Sequence, residues 1–420
     1  MTNKLPVGWD ECKLEEICCL DNGNKQQGLN LPLLDAKFLR GKKDPEYKNS
    51  GAVLDSNDYV ILVDGENSGE IFSIPQQGIM GSTFKKLKFS KEISVEYILY
   101  NIRYNQGLFR TNKKGAAIPH LNKELFKSLP INLPPLNEQK RILGKIEEVF
   151  AKVDAGVEKL KSVAEDLKKY RQSVLHSAFT GKFHKTTDWK QVQLKDVCEV
   201  LGGYAFKSTD FSEFGYQILR MGNIKPFTLN LNEKPVYINN LNKNLVDKYL
   251  LQTNDIVITL TGTRRKRDYG YVVLIKEDKH LLLNQRLARV RPLKNINALY
   301  LAYALQSEPY QTQFFSYETG NVGQGNVSMK ALTDEKIFIP SLPEQEKIAE
   351  EIEKRFAMAD KLEEAVSNSL KQAKELKQSI LKKAFEGRLV PQDPNDEPAQ
   401  ILLDRIKAEK STQLKKRKRK

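Results

Sequence analysis

The feature that most constrains this chain of 420 residues is an internal repeat. Residues 134–183 match residues 340–389 at a constant offset of 206 without a gap, and 18 of the 50 aligned positions are identical. Only roughly three would match by chance at average composition. A repeated segment implies a repeated architecture, because each copy forms the same structural unit.

Each copy of the repeat predicts one long helix. Pro134 and Pro340 end the strand-like segments that come before, because proline cannot continue a ladder. Gly181 and Gly387 stand where a helix stops, and no proline lies between Glu138 and Phe179 or between Glu344 and Phe385. The helices are expected over residues 138–183 and 344–390.

The apolar residues of both helices return every seven positions, which is typical of a coiled-coil seam. In the first copy the two seam positions hold Ile146, Val153, Leu160, Leu167 and Val174, and Phe150, Val157, Ala164 and Ala178, with Arg171 as an interruption. In the second copy they hold Ile352, Ala359, Val366, Ala373 and Ile380, and Phe356, Leu370 and Ala384, with Leu362 and Leu376 one residue early. A helix this long buries little alone, so we expect the two copies to pack on each other, antiparallel.

A weaker repeat lies before each helix, where Trp9 and Leu14 resemble Trp189 and Leu194 at an offset of 180. The segments that follow read as short strands, turns and short helices. The predicted fold is therefore α+β, with two similar mixed domains separated by two long antiparallel coiled-coil helices in a pseudo-two-fold repeat. The expected segments are 1–137, 138–183, 184–343, 344–390 and 391–420.

The formal net charge of +15 suits a polyanion such as nucleic acid, although a basic balance can also serve solubility. The excess is concentrated in residues 184–343, which hold 21 basic and 15 acidic residues, and in the tail. The run Lys415–Lys420 consists of six cations. Because like charges repel, we expect this run to be disordered.

Several function classes lack their motifs in this chain. It contains neither a phosphate-binding loop of the form G-x-x-x-x-G-K-[ST] nor a glycine-rich cofactor turn within a βαβ unit. The four cysteines, Cys12, Cys18, Cys19 and Cys198, form no paired metal or disulfide pattern, which favours a reducing cytoplasm. No apolar run is long enough for a membrane span. We therefore expect no catalytic residues, bound cofactor, metal or membrane association.

The order of further motifs carries a family resemblance. In the second half they are Gly202–Ser208, Arg220–Ile224, Asn254–Thr259, Asn284-Gln285 and Gly325–Ser328; in the first half they are Asp64-Gly65 and Ser82–Phe84. The repeated helix entries are Leu133–Gln139 and Ile339–Gln345, and the segment after the second helix is Gly387–Pro398. Over essentially its full length, the chain resembles the specificity subunit of type I restriction-modification systems.

This resemblance implies a non-catalytic subunit with two target-recognition domains, each of which reads one half of a bipartite site in double-stranded DNA. The paired helices would set the distance between the half-sites. Two modification subunits would dock on the helical region, bind S-adenosylmethionine and methylate adenine, and restriction subunits could join to cleave DNA.

The candidate DNA-contacting residues are basic, amide or aromatic side chains in the motif loops, because arginine and lysine bind phosphates and arginine can bind guanine edges. In the second half they are Tyr204, Lys207, Thr263, Arg264, Arg265, Lys266, Arg267, Gln285, Arg286, Gln324 and Asn326. In the first half they are Lys25, Gln26, Gln27, Lys42, Lys43, Lys113 and Lys114, which we expect on polar loops. For each of them a solvated or purely structural role is the alternative.

Three other functions stay open at this stage. The chain could be a stand-alone methyltransferase or nuclease, which the missing cofactor motifs oppose, or a coiled-coil scaffold that binds no DNA. It could also serve a related system in which one partner chain both methylates and cleaves, and the sequence does not separate that system from type I.

Overall fold

The computed structural model describes the backbone of residues 5–115, 119–181, 188–321 and 323–418, and their side chains up to residue 412. The chain forms two compact units. Unit 1 comprises Met1–Lys159 and Asn368–Lys420, and unit 2 comprises Leu160–Ser367. Each unit therefore contains one region of strands and short helices, together with part of each long helix.

The first mixed region covers residues 5–135 of unit 1. Its strands and helices are β1 (Asp10–Lys13), α1 (Leu14–Ile17), β2 (Cys18–Asp21), β3 (Lys25–Leu34), α2 (Ala36–Leu39), β4 (Tyr47–Leu54), β5 (Tyr59–Leu62), β6 (Ile71–Ser73), β7 (Gly78–Met80), β8 (Phe84–Phe89), α3 (Val95–Tyr104), α4 (Gln106–Thr111), α5 (Lys123–Lys127) and β9 (Pro130–Leu133). They form a two-stranded sheet β1-β9, a four-stranded sheet β2-β8-β5-β6 and a small closed barrel β3-β4-β7.

After the first long helix, α6 (Leu136–Phe179), the second mixed region covers residues 188–341 of unit 2. Its elements are β10 (Lys190–Gln193), α7 (Leu194–Val197), β11 (Cys198–Gly202), β12 (Phe211–Ser212), β13 (Tyr216–Leu219), β14 (Ile224–Lys225), β15 (Thr228–Leu229), β16 (Tyr237–Ile238), α8 (Lys243–Tyr249), β17 (Ile256–Thr259), β18 (Thr261–Gly262), β19 (Val272–Leu274), β20 (Leu281–Leu283), β21 (Leu287–Pro292), α9 (Ala298–Ala304), α10 (Glu308–Ser316), β22 (Gly325–Asn326), α11 (Met329–Asp334) and β23 (Lys336–Ile339).

Two sheets of the first mixed region correspond strand by strand to two sheets of the second. The pair β10-β23 repeats β1-β9, and the sheet β11-β21-β17-β19 repeats β2-β8-β5-β6. A third sheet, β12-β16-β13-β20, takes the place of the β3-β4-β7 barrel. The predicted α+β class and the internal repeat are thus confirmed, and the units diverge mainly in this third sheet.

The two long helices are equal in length. Both α6 and α12 (Leu342–Phe385) have 44 residues, so each begins two residues earlier and ends four or five residues sooner than expected. Gly387 (φ 68°) closes α12: its N–H bonds to the carbonyl of Ala384 at 3.3 Å, and the N–H of Arg388 bonds to that of Lys383 at 2.8 Å. This is the Schellman arrangement, which needs a left-handed residue that glycine adopts without strain. The expected end of the first helix, at residue 183, lies outside the described residues.

The helix segments run antiparallel within each unit. In unit 2, Val174 and Ala178 share a core cluster with Ile348 and Phe356, while Arg171 bonds to Asp360 and Glu363. In unit 1, Ile142 and Ile146 share a core with Ile380 and Phe385, while Lys377 bonds to Asp154. Lower residue numbers on one helix thus meet higher numbers on the other, as expected.

The structure corrects two details of the predicted seam. Leu362 and Leu376, assigned to the seam, are 49% and 50% exposed. The second seam position falls instead on Glu363 and Lys377, which are half-buried. Arg171, read as an interruption of the apolar seam, is only 6% exposed. Charged side chains therefore occupy positions that heptad spacing reserves for apolar residues.

The C-terminal segment is a helix, and the expectation that residues 415–420 are disordered was wrong as far as residue 418. Helix α13 (Ala399–Lys418) follows α12 after a short connection. Leu402, Leu403 and Ile406 of this helix lie in the core of unit 1, and the Ala399 N–H bonds to the Gly8 carbonyl at 2.8 Å. Burial of one apolar face stabilises a helix that its charge pattern alone would disfavour. Residues 419 and 420 lie outside the described part.

Candidate nucleic-acid interface

Backbone hydrogen bonds bring the second-region candidates together around the ends of the central strands. Tyr204 forms a parallel bridge with Asn284, and its carbonyl accepts the N–H of Gln285 at 2.8 Å. The Leu260 N–H bonds to the carbonyl of Arg286 at 2.9 Å, and the Val327 N–H bonds to that of Leu260 at 2.9 Å. The loops that start at residues 203, 261, 284 and 318 therefore form one cluster, which we call the loop cluster.

The basic loop of this cluster is preformed by its ends. The Asp268 carboxylate accepts hydrogen bonds from the Thr263 N–H at 2.5 Å and the Thr263 hydroxyl at 3.2 Å. The Thr263 carbonyl accepts the N–H groups of Lys266 and Arg267 at 3.1 and 2.9 Å. The hydrogen bond from the Thr263 backbone lowers the pKa of Asp268, so this closure persists at neutral pH. Four successive basic residues are thus held on a defined turn.

The side chains of two of these four basic residues contact other groups of the protein. Arg264 donates to the Glu318 carboxylate and to the Gly320 carbonyl, both at 3.2 Å. The Arg267 guanidinium lies 4.9 Å from the centre of the Phe315 ring, within cation–π distance. These contacts tie the basic loop to the segment that follows α10 and to α10 itself.

The other two basic residues point to solvent. Arg265 and Lys266 are exposed, and neither side chain has a hydrogen-bond or ion-pair partner among the residues that the structure describes. From the sequence we expected one shared role for these four residues, whereas the structure divides them into two anchored and two free cations. The sequence of these four residues does not show this distinction.

Glu318 is a functional candidate that sequence reasoning missed. Its carboxylate lies between Arg264 and the Tyr269 hydroxyl, which donates to it. Burial, followed by this carboxylate, raises the pKa of Tyr269. Glu318 lies 54 residues from Arg264 in sequence, so no local pattern could have marked the pair.

The loop around residue 320 holds two more candidates in different states. The Asn326 amide oxygen accepts the Thr261 hydroxyl at 3.0 Å, where β18 pairs with β22. Gln324 is exposed. Gly320 (φ 120°) allows this turn, because a Cβ there would stand 2.1 Å from the Gln324 carbonyl oxygen. Asn326 therefore serves the loop geometry, and Gln324 is available to a ligand.

The remaining second-region candidates lie at the rim of the loop cluster. Tyr204 is 40% exposed and packs against Phe206 and Tyr249 at centroid distances of 5.1 and 5.4 Å. Lys207 is exposed three residues further on. Arg286, just before β21, is exposed and has a left-handed backbone (φ 71°), which differs from the extended backbone of a strand.

The first mixed region repeats the backbone framework of the loop cluster with different side chains. The Val63 N–H bonds to the Thr83 carbonyl at 2.8 Å, and the Leu121 N–H bonds to the Val63 carbonyl at 2.8 Å. These two bonds correspond to those that Leu260 makes with Arg286 and Val327 in the second region. Where the second region has its basic loop, the first has Gly65-Glu66-Asn67-Ser68, so this loop of the first region has no run of basic residues.

The His120 ring is bound to Asp64 within this first-region framework. The distance from His120 Nδ1 to Asp64 Oδ1 is 2.7 Å, and the two residues bridge as Thr261 and Asn326 do in unit 2. Of the first-region candidates, Lys113 and Lys114 lie here: Lys113 donates to the Glu66 carbonyl at 2.5 Å, and the Lys114 backbone pairs with His120. His120 is not among the candidates named from the sequence.

The other first-region candidates lie elsewhere. We expected Lys25, Gln26 and Gln27 on a polar loop, and this was wrong. They lie on the exposed end of β3, which pairs with β4. Lys43 forms ion pairs with Glu46 at 2.7 Å and Asp35 at 3.6 Å, which leaves Lys42 as the less engaged of the two. The lysine pair at 42–43 is therefore a weaker candidate than its charge suggests.

Over the described residues, no cluster of three or more His, Cys, Asp or Glu side chains is suited to hold a metal ion. In the same part of the chain, none of the helices has the length and apolar character needed to cross a membrane.

The chain matches a protein family twice along its length. The model of the type I restriction modification DNA specificity domain matches residues 6–164 and 186–372, which is one match for each mixed region and the helix after it. The chain belongs to this family. The two matches coincide with the structural repeat, so the family domain is present in two copies.

Curated relatives cover almost the full chain. The MjaVIII specificity subunit of a type I restriction enzyme from Methanocaldococcus jannaschii is 28% identical over 92% of this chain and 94% of its own length. The EcoKI specificity subunit from Escherichia coli K12 is 26% identical over 97% of both chains. A solved chain from a type I R-M system shares the fold, with a TM-score of 0.68 and 19% identity over 92% of this chain and 100% of that one.

Proposed function

We propose that this chain is the DNA-reading subunit of a type I restriction-modification enzyme, and that each mixed region reads one half of a bipartite site. The observation that carries this proposal is the loop cluster of unit 2. There a preformed loop presents Arg265 and Lys266 without protein partners, beside exposed Gln285, Gln324 and Tyr204. Such side chains can bind phosphate without breaking a hydrogen bond or ion pair within the protein.

The two kinds of side chain in the cluster suit the two tasks of a DNA reader. Arg265 and Lys266 suit contact with phosphates, which positions the protein, or with the O6 and N7 atoms of guanine. Gln285 and Gln324 carry amides that can pair with an adenine edge. The anchored cations Arg264 and Arg267 hold the loop in place for these contacts.

The first mixed region would read a different half-site. It shares the backbone framework, but Glu66 and His120 stand at the positions where unit 2 has Thr263 and Asn326. A carboxylate can accept a hydrogen bond from the cytosine amino group, whereas arginine donates to guanine. The same scaffold with different side chains is therefore suited to different bases.

The proposed partners are two modification subunits and restriction subunits. Curated relatives are specificity subunits of type I restriction enzymes, which fits a chain that acts within a larger enzyme. In this proposal the chain itself has no catalytic site and binds no cofactor. S-adenosylmethionine would bind to the modification subunits, which would methylate adenine.

The test replaces the two free cations, Arg265→Ala and Lys266→Ala, in the chain assembled with its modification subunits. Affinity for a selected target duplex is measured over a range of salt concentrations. The loss of two phosphate contacts should reduce the slope of log K against log salt by about 1.8 and weaken binding by about tenfold at moderate salt.

The matched control replaces two exposed lysines of the same mixed region, Lys190→Ala and Lys336→Ala. They lie on β10 and β23, away from the loop cluster, and remove the same charge. If both double variants change the slope equally, only net charge matters and the loop cluster is not the contact surface. If neither variant changes it, the basic loop does not touch DNA.

A further inference from the structure

A buried cation lies in the seam of the two long helices in unit 2. Arg171 of α6 is 6% exposed. Its Nη2 atom donates to Asp360 of α12 at 2.5 Å and to Glu363 at 3.2 Å, and its Nε atom donates to Glu363 at 3.4 Å. Arg171 therefore ties α6 to α12 within this unit.

The same guanidinium also holds a hairpin of the second mixed region. Strands β14 and β15 are joined by a two-residue turn, Pro226-Phe227, and Phe227 has a left-handed backbone (φ 59°). The Arg171 guanidinium lies 5.9 Å from the Phe227 ring centre and 5.0 Å from that of Phe356 on α12. The two rings meet edge to face at 5.3 Å. A strained turn thus places one aromatic ring against a cation in the helix seam.

This contact is separated from the base of the mixed region by a cleft. At the base, the Trp189 indole donates to Glu344 at 3.0 Å. A cleft of about 1290 Å³ then lies between the residues around β15 and β19 and those of α9 and α12, and Phe227 lines its edge. On the α9 side, Tyr303 packs on Phe356 at 5.4 Å, and His176 of α6 bonds to Glu308 of α10 at 2.8 Å. On the side of β15 and β19, the contacts between the mixed region and the helices among the described residues are the hairpin tip and an exposed pair between Lys276 and Glu353 at 3.4 Å.

Unit 1 shows what a simple tie between the helices requires. Lys377 stands at the repeat position of Arg171, and it bonds to Asp154 at 2.5 Å and lies 4.7 Å from the Phe150 ring centre. Asp154 and Phe150 are the repeat equivalents of Asp360 and Phe356. A lysine with one carboxylate and one ring thus suffices in unit 1. The arginine, the second carboxylate and the hairpin ring are additions in unit 2.

We propose that Arg171 and Phe227 form a strut that fixes the angle of the second mixed region on the helices, so that Arg171 is a positioning residue for DNA recognition. The inference rests on the proposed function, because that angle matters when two half-sites must be bound at once. Without the strut, the β14–β15 side of the mixed region is held less firmly against the helices, and the enzyme accepts half-sites at unsuitable spacings.

The test compares Phe227→Ala and Arg171→Lys, the second of which installs the residue that the repeat itself uses. Affinity of the assembled enzyme is measured for duplexes whose half-site spacing differs by one base pair either way from the preferred value. Each variant should lose about tenfold of the discrimination between spacings. The bases preferred within each half-site should stay the same, because neither residue lies in the loop cluster.

A control and a DNA-free measurement complete the design. Phe214→Ala removes a phenylalanine that is 71% exposed in the same mixed region, and it should leave the discrimination intact. In a Cys19→Ser background, spin labels at Lys243→Cys and Glu346→Cys report the distance between α8 and α12 without DNA. Both strut variants should broaden this distance distribution relative to the parent and to Phe214→Ala.

The possible outcomes separate the two proposals. Unchanged distance distributions in both strut variants overturn the strut, and so does an equal loss of affinity at all spacings, which would indicate a merely structural role. If the unsubstituted enzyme shows no site-specific binding while the strut variants still broaden the distribution, the proposed function fails and the strut stands.

Discussion

Carboxylates at equivalent positions of the two long helices accept the same hydrogen bond. Glu138 and Glu344 each accept the indole N–H of a tryptophan, Trp9 or Trp189, at 3.0 Å. Burial raises the pKa of Glu138, and its hydrogen bonds from Gln392 and Trp9 offset part of that effect. Both copies of the repeat thus satisfy this polar group, because an unsatisfied one would cost free energy.

Glu335 has no such partner. It is 0% exposed, and neither of its oxygens has a hydrogen-bond partner among the described residues. Burial raises its pKa from 4.5 to about 8, which the neighbouring Tyr310 hydroxyl offsets only in part. In unit 1, Leu129 stands at the repeat position of Glu335. The Leu129 carbonyl accepts the N–H of Leu14, and the Glu335 carbonyl accepts the N–H of Leu194 in the same way. The first unit therefore shows that an apolar residue fits this site.

We expect Glu335→Leu to stabilise unit 2. The folded state binds the Glu335 proton more tightly than the unfolded state, so stability is greatest below pH 4.5 and falls as the pH rises towards 8. Removal of the carboxyl should therefore raise the free energy of unfolding by about 2–3 kcal/mol at pH 7, with little change at pH 4.5. Denaturant titrations between pH 4.5 and 8 measure both values.

The reciprocal variant is the control for this prediction. Leu129→Glu places a carboxyl at the equivalent site of unit 1 and should introduce a new loss of stability over the same pH range. Glu335→Gln should also remove the pH dependence, because the amide does not titrate. A parent-like slope in Glu335→Gln would show that another group causes the dependence.

At the scale of elements, α13 is a structural helix of unit 1 and not a loose tail. Its apolar residues Leu402, Leu403 and Ile406 are buried against the first mixed region. Arg405 bonds to Glu92 at 3.1 Å, and Lys410 donates to the Glu15 carbonyl at 2.7 Å. The helix therefore contributes to the fold from its start to about residue 410.

Substitution within α13 should have a sharply position-dependent effect. Leu403→Ala should destabilise unit 1 by about 2–4 kcal/mol, because it leaves a cavity in a packed core. Ile401→Ala, on a side chain that is 45% exposed in the same helix, should change stability by less than about 0.5 kcal/mol. Thermal unfolding of both variants decides the matter, and equal effects would mean that α13 does not dock as described.

Removal of the residues after Lys410 should leave the methylated DNA motif unaltered. The core contacts of α13 end at Ile406, and the deleted part is mostly cationic, so its loss should reduce affinity at low salt without changing base choice. Methylome sequencing of cells that express the truncated chain with its partners is the measurement. A new motif would place the C-terminal residues at the reading surface.

At the scale of the whole molecule, the chain is a duplicated scaffold with two different sets of loops. The bonds that Val63 makes to Thr83 and Leu121 are repeated by Leu260 with Arg286 and Val327. Because these bonds use only backbone atoms, the side chains of the loops can change while the framework stays. Such a scaffold suits independent readers of two half-sites.

Exchange of residues 184–337 for those of a family member with another target should therefore change one half-site only. The new loops bring their own side chains, while the first mixed region keeps its contacts. Selection of preferred sites from a random duplex library is the measurement, with the unexchanged chain as the reference. A change in both half-sites would contradict two independent readers.

The sequence by itself determined the repeat, the long helices and the α+β class. These features depend on patterns that are local, namely seven-residue apolar spacing, prolines at 134 and 340 and glycines at 181 and 387. The short strands and short helices expected before each long helix correspond to observed elements for the same reason. Hydrophobic period and helix stop signals act within one or two turns.

Only the tertiary structure decided which charged residues are free. Arg265 and Arg264 are neighbours of one type, yet Glu318, 54 residues from Arg264, holds one and not the other. Arg171 breaks an apolar pattern, yet it is buried because Asp360 and Phe227 come to it through the fold. The energy of a charge depends on what surrounds it in space, and residues distant in sequence supply those surroundings here.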